Sequence, residues 1–412
     1  MIRFIHTADT HFGVENYGKI NQETGVHSRL LDFERALNCC IDSAIEKKVD
    51  FFLFCGDAYK TTNPTPTQQK LFMRCLFRLY AANIPVVLVV GNHDNPLSFG
   101  KAHSLDVFGN LPVDGFHTIS KPGILKLETK SGPIQIVGVP WPTRNTITIS
   151  EKHLLKSADE ITRYISKAVG EIIKSLSEKL DKTIPAVLAG HLTVSTGVFS
   201  GSERRAIYGN DPVLLPSQLA VAPFDYVALG HLHRHQNLNT GGYPAVVYCG
   251  SPERIDFGER KEEKGFCLVT IQEKNKTSYE FIKTLARPFL QIDHHLKADK
   301  NQTEQLLDEL KKHNLEGAII KIKYHVPDET KDTVDLQKIQ RACESTQHLV
   351  GIIPIRNLQL RERRTDLKVD MDFQHLLGAY LDTKPELKEK KKKLLEKAAL
   401  LFEEIKQSQK EQ

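Results

Sequence analysis

Five short segments of this chain end in side chains that bind metals, and four of them close an apolar run. In order they are Asp9-Thr10-His11, Gly56-Asp57, Gly91-Asn92-His93-Asp94, Gly190-His191 and Gly230-His231-Leu232-His233. The runs are Phe51-Phe52-Leu53-Phe54, Val86-Val87-Leu88-Val89-Val90, Ala186-Val187-Leu188-Ala189 and Tyr226-Val227-Ala228-Leu229. Runs this short, rich in Val and Phe and bounded by Gly, read as strands buried on both faces. In an open α/β sheet the carboxyl ends of such strands face one crevice. Ligands far apart in sequence are therefore expected to converge in space.

The residue types explain what would gather there. Imidazole nitrogens mixed with carboxylate and amide oxygens suit Mn²⁺, Fe²⁺ or Zn²⁺, whereas an all-oxygen set suits Mg²⁺ or Ca²⁺. Seven candidate ligands (Asp9, His11, Asp57, Asn92, His191, His231 and His233) are too many for one ion with open positions. They suffice for two if Asp57 bridges. Two ions about 3.5–4 Å apart are the arrangement that clamps both sides of an in-line phosphoryl displacement. Glycine before four of the five segments gives the backbone room to turn. Singly, Asp-x-His and Gly-Asp are ordinary strand-end and turn sequences. Their order within one domain-sized stretch carries the reading.

That order resembles the calcineurin-like metallophosphoesterase superfamily. The stretches His6-Thr7-Ala8-Asp9-Thr10-His11-Phe12-Gly13 and Arg29-Leu30-Leu31-Asp32-Phe33 are similar to its SbcD-type nuclease branch, as is Gly250-Ser251-Pro252-Glu253-Arg254-Ile255-Asp256-Phe257-Gly258-Glu259. The resemblance implies a four-layer α/β/β/α sandwich with a small α+β capping domain and a C-terminal helical tail. It also implies two Mn²⁺ ions, with Asp9, His11 and His233 on one, Asn92, His191 and His231 on the other, and Asp57 on both. His93 would be the non-ligand catalytic residue, stabilising the phosphate or protonating the leaving oxygen, and Asp94 would orient it. The implied activity is double-strand exonuclease and single-strand endonuclease cleavage at DNA ends and hairpins, in repair, recombination and replication. The implied partners are an SbcC-type ATPase, held by the C-terminal helix, and a second copy of the chain, held by nuclease-domain helices. One departure stands out. Many relatives carry a second histidine three residues after the bridging aspartate, where this chain has Lys60. A lysine still neutralises phosphate as a point cation.

Length and composition set limits. A chain of 412 residues predicts two or three domains. With 40% hydrophobic and 26% charged residues the balance is that of a globular protein. No apolar run approaches the about 20 residues that cross a bilayer. Ile2-Arg3-Phe4-Ile5-His6 begins a strand with no signal-peptide pattern. Seven scattered cysteines without a Cys-x-x-Cys read as reduced thiols of a cytoplasmic protein. The net charge of +5 permits nucleic-acid binding without demanding it.

Along the chain, residues 1–286 read as the nuclease domain, 287–364 as the capping domain and 365–412 as the tail. Ser28 to Lys48 has a helical apolar face, and Thr65 to Ala82 is a second helix apolar on more than one face. That helix is either packed between neighbours or part of a subunit interface. Arg204 and Arg205, in the long connection 193–220, are candidate phosphate contacts with Arg234 and Lys60; solvated surface charge is the alternative. In the tail, Leu394, Leu395, Ala398, Leu401, Phe402 and Ile405 form one apolar stripe, which docks on its own domain, lies at the surface or binds a partner. The resemblance favours the partner. Two other functions compete with a nuclease. A stand-alone phosphoesterase for small phosphodiesters or phosphoproteins would not need the cap or the tail. A DNA-end tether without catalysis would not need all seven ligands and His93.

Overall fold

The computed structural model describes residues 1–96, 101–110, 113–143, 157–201, 211–328, 330–356, 373–382, 387 and 390–408. The chain forms two compact units, Met1–His325 with Asp332–Pro354, and Val326–Lys331 with Ile355–Gln412. The first holds all of the predicted ligands.

Its first half runs β1 (Ile2–Thr7), α1 (Ser28–Glu46), β2 (Phe51–Phe54), α2 (Pro66–Ala81), β3 (Val86–Val89), α3 (Asp106–Gly109) and β4 (Phe116–Ile119). There follow β5 (Gly123–Thr129), β6 (Gly132–Val139), α4 (Ala158–Glu178), β7 (Ala186–His191), β8 (Thr193–Val194), β9 (Val213–Leu214) and α5 (Pro216–Leu219). The sandwich is completed by β10 (Tyr226–Gly230), β11 (Gln236–Asn237), β12 (Ala245–Tyr248), β13 (Gly265–Glu273) and β14 (Lys276–Lys283). Two six-stranded sheets result among the described residues, in the orders β14-β13-β1-β2-β3-β4 and β11-β12-β10-β7-β6-β5. Within the first, β1 to β4 are parallel. In the second, β6, β7, β10 and β12 are parallel. Parallel strands are buried on both faces, which is why β2, β3, β7 and β10 are unbroken apolar runs rather than alternating ones.

The two sheets face each other. Phe4, Phe51 and Leu53 from one meet Ile134, Val187 and Tyr226 from the other in a single apolar layer. Phe4 stacks on Phe51 at 4.5 Å between ring centroids and meets Tyr226 edge-on at 6.0 Å. The outer face of the first sheet is covered by α1 and α2 through Leu37, Ile41, Phe72 and Leu76. The outer face of the second is covered by α4 through Ile161, Ile165, Val169 and Ile173. This is the expected four-layer α/β/β/α sandwich.

Local chemistry sets the helix starts. Thr65 and Gln68 form a reciprocal capping box with Pro66 in the first turn of α2. Ser157 and Glu160 do the same for α4. On α2 the inward residues Leu71, Phe72, Cys75, Leu76 and Leu79 are buried, while Phe77 and Tyr80 remain 37% and 40% exposed. None of the seven cysteines forms a disulfide.

Beyond the sandwich, β15 (Phe289–His295), α6 (Gln302–Leu310), β16 (Ile319–His325), α7 (Leu336–Ala342) and β17 (His348–Ile355) build a three-stranded sheet in the order β15-β16-β17. The second unit contains α8 (Phe373–Asp382) and α9 (Lys391–Ser408), which pack on each other. No helix among the described residues is long and apolar enough to cross a membrane.

Candidate metal centre

The ends of β1, β2, β3, β7 and β10 deliver all seven predicted ligands to one place. His11 Nε2 lies 3.0 Å from His233 Nε2 and 3.6 Å from Asp57 Oδ2. His191 Nε2 lies 3.4 Å from the same Asp57 oxygen and 2.9 Å from Asn92 Oδ1. His231 Nδ1 is 3.3 Å from that Asn92 oxygen. Asp57 therefore stands between two groups, one around His11 and His233 and one around Asn92, His191 and His231. Asp9 accepts the His231 backbone N–H at 3.0 Å and lies 4.0 Å from His191 Nδ1.

The backbone is strained where these side chains leave it. Asp9 (φ 56°), His11 (φ 44°), Asp57 (φ 57°) and His231 (φ 103°) are all in the left-handed region. Each such non-glycine residue costs on the order of 1–3 kcal/mol, which the surrounding fold must over-determine. The glycines act chiefly through close approach rather than through turning. A Cβ on Gly91 would stand 2.2 Å from Asp57 Oδ1, and one on Gly230 would stand 2.0 Å from the Cys55 carbonyl oxygen. Only Gly56 of the four has a positive φ, 92°.

Electrostatics prepare the cluster for cations. Burial drives His11 well below its ordinary pKa and His231 down to about 3, so both present neutral ring nitrogens. Burial alone would raise Asp57, but His191 and the other histidines more than offset it and hold its carboxyl well below the usual range. His191 shows the complement: burial lowers it, yet the charge of Asp57 lifts it to about 9. Burial raises Asp9 to about 7, the histidines around it offsetting only part. A proton on His191 thus fills a role that a metal cation would fill better. The donor set fits metal on two further counts. Two imidazole nitrogens face each other at 3.0 Å, and the buried His231 Nε2 has no hydrogen-bond partner.

Outer contacts fix the rings. His191 Nδ1 donates to the Cys55 carbonyl at 2.7 Å. His233 Nδ1 donates to Glu259 at 2.8 Å, and Glu259 in turn holds the buried Lys264 ammonium at 2.8 Å. Trp141, the chain's single tryptophan, lies against the His231 ring at 4.9 Å between centroids. The roles of Glu259, Lys264 and Trp141 do not follow from the sequence reading. The signals are nonetheless present: Glu259 closes the Gly250–Glu259 motif, and Trp141 follows β6 at the same sheet edge as the ligands.

His93 is exposed above the cluster. Its backbone N–H donates to Asp57 Oδ1 at 2.9 Å, and its Nδ1 donates to the Lys60 carbonyl at 2.8 Å. The expectation that Asp94 orients His93 is corrected by this geometry. The Asp94 carboxylate is buried and accepts N–H groups from Asp57 at 2.8 Å, Ala58 at 3.1 Å and Gly91 at 3.1 Å, and the Ser104 hydroxyl at 3.1 Å. It shapes the Asp57 loop, because five nearby donors satisfy it, the Tyr59 N–H at 3.4 Å among them, and none is on the His93 ring.

A cleft of about 700 Å³ opens over the site, lined by His11, Asp57, Lys60, Asn92, His93 and His233 among others. Lys60 is exposed on its wall. Arg234 is exposed beside His233 but does not line the cleft. Arg204 and Arg205 lie outside the described residues.

Comparison with known proteins decides the family. Residues 2–235 match the family model described as calcineurin-like phosphoesterase. The chain belongs to that family. This phosphoesterase is 27% identical to SbcD, a subunit of nuclease SbcCD, from Escherichia coli K12 over 319 residues, covering 74% of each chain, and equally to the protein of that name from Escherichia coli O157:H7. It is a homologue of those subunits. Among solved structures it resembles TT1561 of Thermus thermophilus (15% identity, TM-score 0.37, covering 68% of this chain and 98% of that one). It also resembles a dimetal phosphatase from Danio rerio (10% identity, TM-score 0.40, covering 68% and 95%). The calcineurin-like phosphoesterase is thus a metal-dependent hydrolase of phosphoester bonds, and its His/Asp cluster is the candidate holder of divalent ions.

Proposed function

We propose that this chain is the DNA nuclease subunit of an SbcCD-type complex, cleaving phosphodiester bonds at DNA ends and hairpins. The observation that carries the proposal is the placement of Asp57 between two groups of imidazole-nitrogen and oxygen donors, with exposed His93 beside it. Asp9, His11 and His233 would hold one ion, Asn92, His191 and His231 the other, and Asp57 both; imidazole-rich donors favour Mn²⁺. When bound, two such ions supply Lewis-acid polarisation of the phosphate and a water of lowered pKa.

The chain's own residues do the rest. A carbonyl oxygen only accepts, so the Lys60 carbonyl keeps a proton on His93 Nδ1 and leaves Nε2 to exchange one with the leaving oxygen. Asp94 fixes the Asp57 loop through the backbone N–H groups of Asp57, Ala58 and Tyr59. The Lys60 ammonium sits on the cleft wall, where it can neutralise a phosphate of the substrate strand.

Residues 287–364 cap the nuclease. Exposed Phe77 and Tyr80 on α2 supply an apolar surface for a second copy. Leu394, Leu401 and Phe402 of α9 are exposed at 37%, 53% and 37%, as a helix docking in the groove of an SbcC-type ATPase requires. The complex would work in the cytoplasm.

The deciding experiment compares cleavage of linear duplex and hairpin DNA with turnover of a small chromogenic diester, each in Mn²⁺ and Mg²⁺. DNA cleavage in Mn²⁺ with little activity in Mg²⁺ is expected. Diester turnover without DNA cleavage, with or without the ATPase, would make the chain a small-molecule phosphoesterase. In Asp57→Ala, activity and metal occupancy should disappear together; two retained ions would show that the bridge is misassigned.

A further inference from the structure

A second group of metal-binding side chains lies on the three-stranded sheet, on the strands β15 and β16. These pair in parallel, with Asp293 opposite Lys323, His294 opposite Tyr324 and His295 opposite His325. Side chains alternate along a strand, so Asp293 and His295 share a face of β15, and His325 stands beside His295 on the same face of β16. The opposite face carries buried Ile292, Ile322 and Tyr324, while this face is buried only at its Phe289 and Ile319 end, away from the three residues.

Their geometry is specific. The His295 and His325 rings stack at 3.8 Å between centroids and 10° between planes. Asp293 Oδ1 lies 2.8 Å from His325 Nε2. In register, Asp293 is opposite Lys323, yet its carboxylate bonds to the histidine and not to the lysine. Neither ring nitrogen of His295 has a hydrogen-bond partner among the described residues. One ligand atom from each of the three residues lies within 4.8 Å of the others. The side chains of Asp293 and His325 are 45% and 28% exposed, so an ion can reach them.

We propose that Asp293, His295 and His325 form a separate surface site for a divalent cation of the Zn²⁺ class. Ligand atoms around tetrahedral zinc, at about 2.0–2.2 Å from the ion, stand about 3.4 Å from one another. Rotation of exposed side chains closes the remaining gap without moving either strand. Lys323 on the same face opposes any cation, which selects for an ion that bonds imidazole nitrogen over Mg²⁺ or Ca²⁺, held by oxygen and charge. Two histidines and one carboxylate leave a fourth position to water. The ion would fasten the edge strand β15 to the central strand β16.

The test uses the full chain, with Zn²⁺ as the probe. Bound zinc is counted after equilibrium dialysis in wild type, His295→Ala and His325→Ala, so that ions in the metal centre cancel in the difference. Each variant should hold one equivalent fewer, and Asp293→Asn should weaken that equivalent at least tenfold. The zinc-dependent rise in Tm should shrink in all three. Equal stoichiometry in wild type and variants would overturn the site, as would an extra equivalent binding only in the millimolar range. Should the alanine variants fold poorly, His295→Gln, which keeps bulk and polarity, decides the matter by the same count.

Discussion

The carboxylate of Glu259 bridges His233 and Lys264, accepting from His233 Nδ1 at 2.8 Å and from the Lys264 ammonium at 2.8 Å. All three are buried. Burial alone would raise Glu259, but the charges of Lys264 and His233 hold it at about 2. The pair fixes which ring nitrogen of His233 faces the site, as a carboxylate behind a metal-binding histidine does. Glu259→Gln should therefore lower Mn²⁺ affinity by about 10–100-fold while the fold survives, because Lys264 keeps Glu262 at 3.1 Å and the His233 carbonyl at 2.9 Å. Calorimetric titration with Mn²⁺ reads this directly. Unchanged affinity would reduce Glu259 to a purely structural partner of Lys264.

His93 separates chemistry from metal binding. Its ring donates to the Lys60 carbonyl and lies edge-on to the His11 ring at 5.0 Å between centroids, outside the seven proposed ligands, so His93→Ala should keep its metal content and its DNA affinity. Cleavage should fall by on the order of 10²–10⁴, the usual weight of one acid or charge-stabilising group. Metal analysis beside a single-turnover cleavage assay gives both numbers. Loss of an ion along with activity would make His93 a ligand instead.

Glu253 gives the protein a pH dependence of its own. Burial raises its carboxyl from about 4.5 to about 7, with Arg29 offsetting part of the effect. A carboxyl raised on folding holds its proton more tightly in the folded state. Stability from this group is thus complete below about pH 4.5 and is lost as pH rises through about 7. Glu253→Gln keeps an acceptor for the N–H groups of Arg254 and Arg287 without the charge. It should flatten stability between those pH values by a few kcal/mol, roughly one pKa unit being 1.4 kcal/mol. Urea midpoints measured across pH 4 to 8 check this; an unchanged slope would rule Glu253 out as its source.

In α9, Leu401→Glu with Phe402→Glu should leave the sandwich folded and abolish co-purification with an SbcC-type ATPase. A buried unpaired carboxylate in a docking groove is costly, whereas on a solvated helix it is not. If the same variant lowered the Tm of the nuclease itself, the stripe would be packing on its own chain.

What is legible in the sequence are features that repeat locally. Val86–Val90 and Ala186–Ala189 mark buried parallel strands by composition alone, and the ligands follow at their ends. The resemblance sets Asp94 to orient His93, whereas most of its partners are N–H groups 35 to 37 positions away, on the Asp57 loop. Glu259, Lys264 and Trp141 reach the site across the fold, and no local period marks such contacts. The glycines are recognisable, but their reason is tertiary: Gly91 and Gly230 are small because another segment passes within reach of where a Cβ would stand.

The proposed ligands come from both sheets: Asp9, His11, Asp57 and Asn92 from one side of the apolar layer, His191, His231 and His233 from the other. An ion held by both therefore adds a tie between two halves that are otherwise joined by packing and a few hydrogen bonds. Its binding free energy belongs to the whole sandwich, amounting to about 2.7 kcal/mol when its concentration is a hundred times Kd. Stripping the metal would then do more than stop hydrolysis. It would loosen the seam between the sheets, making resistance to proteolysis a measure of metal supply.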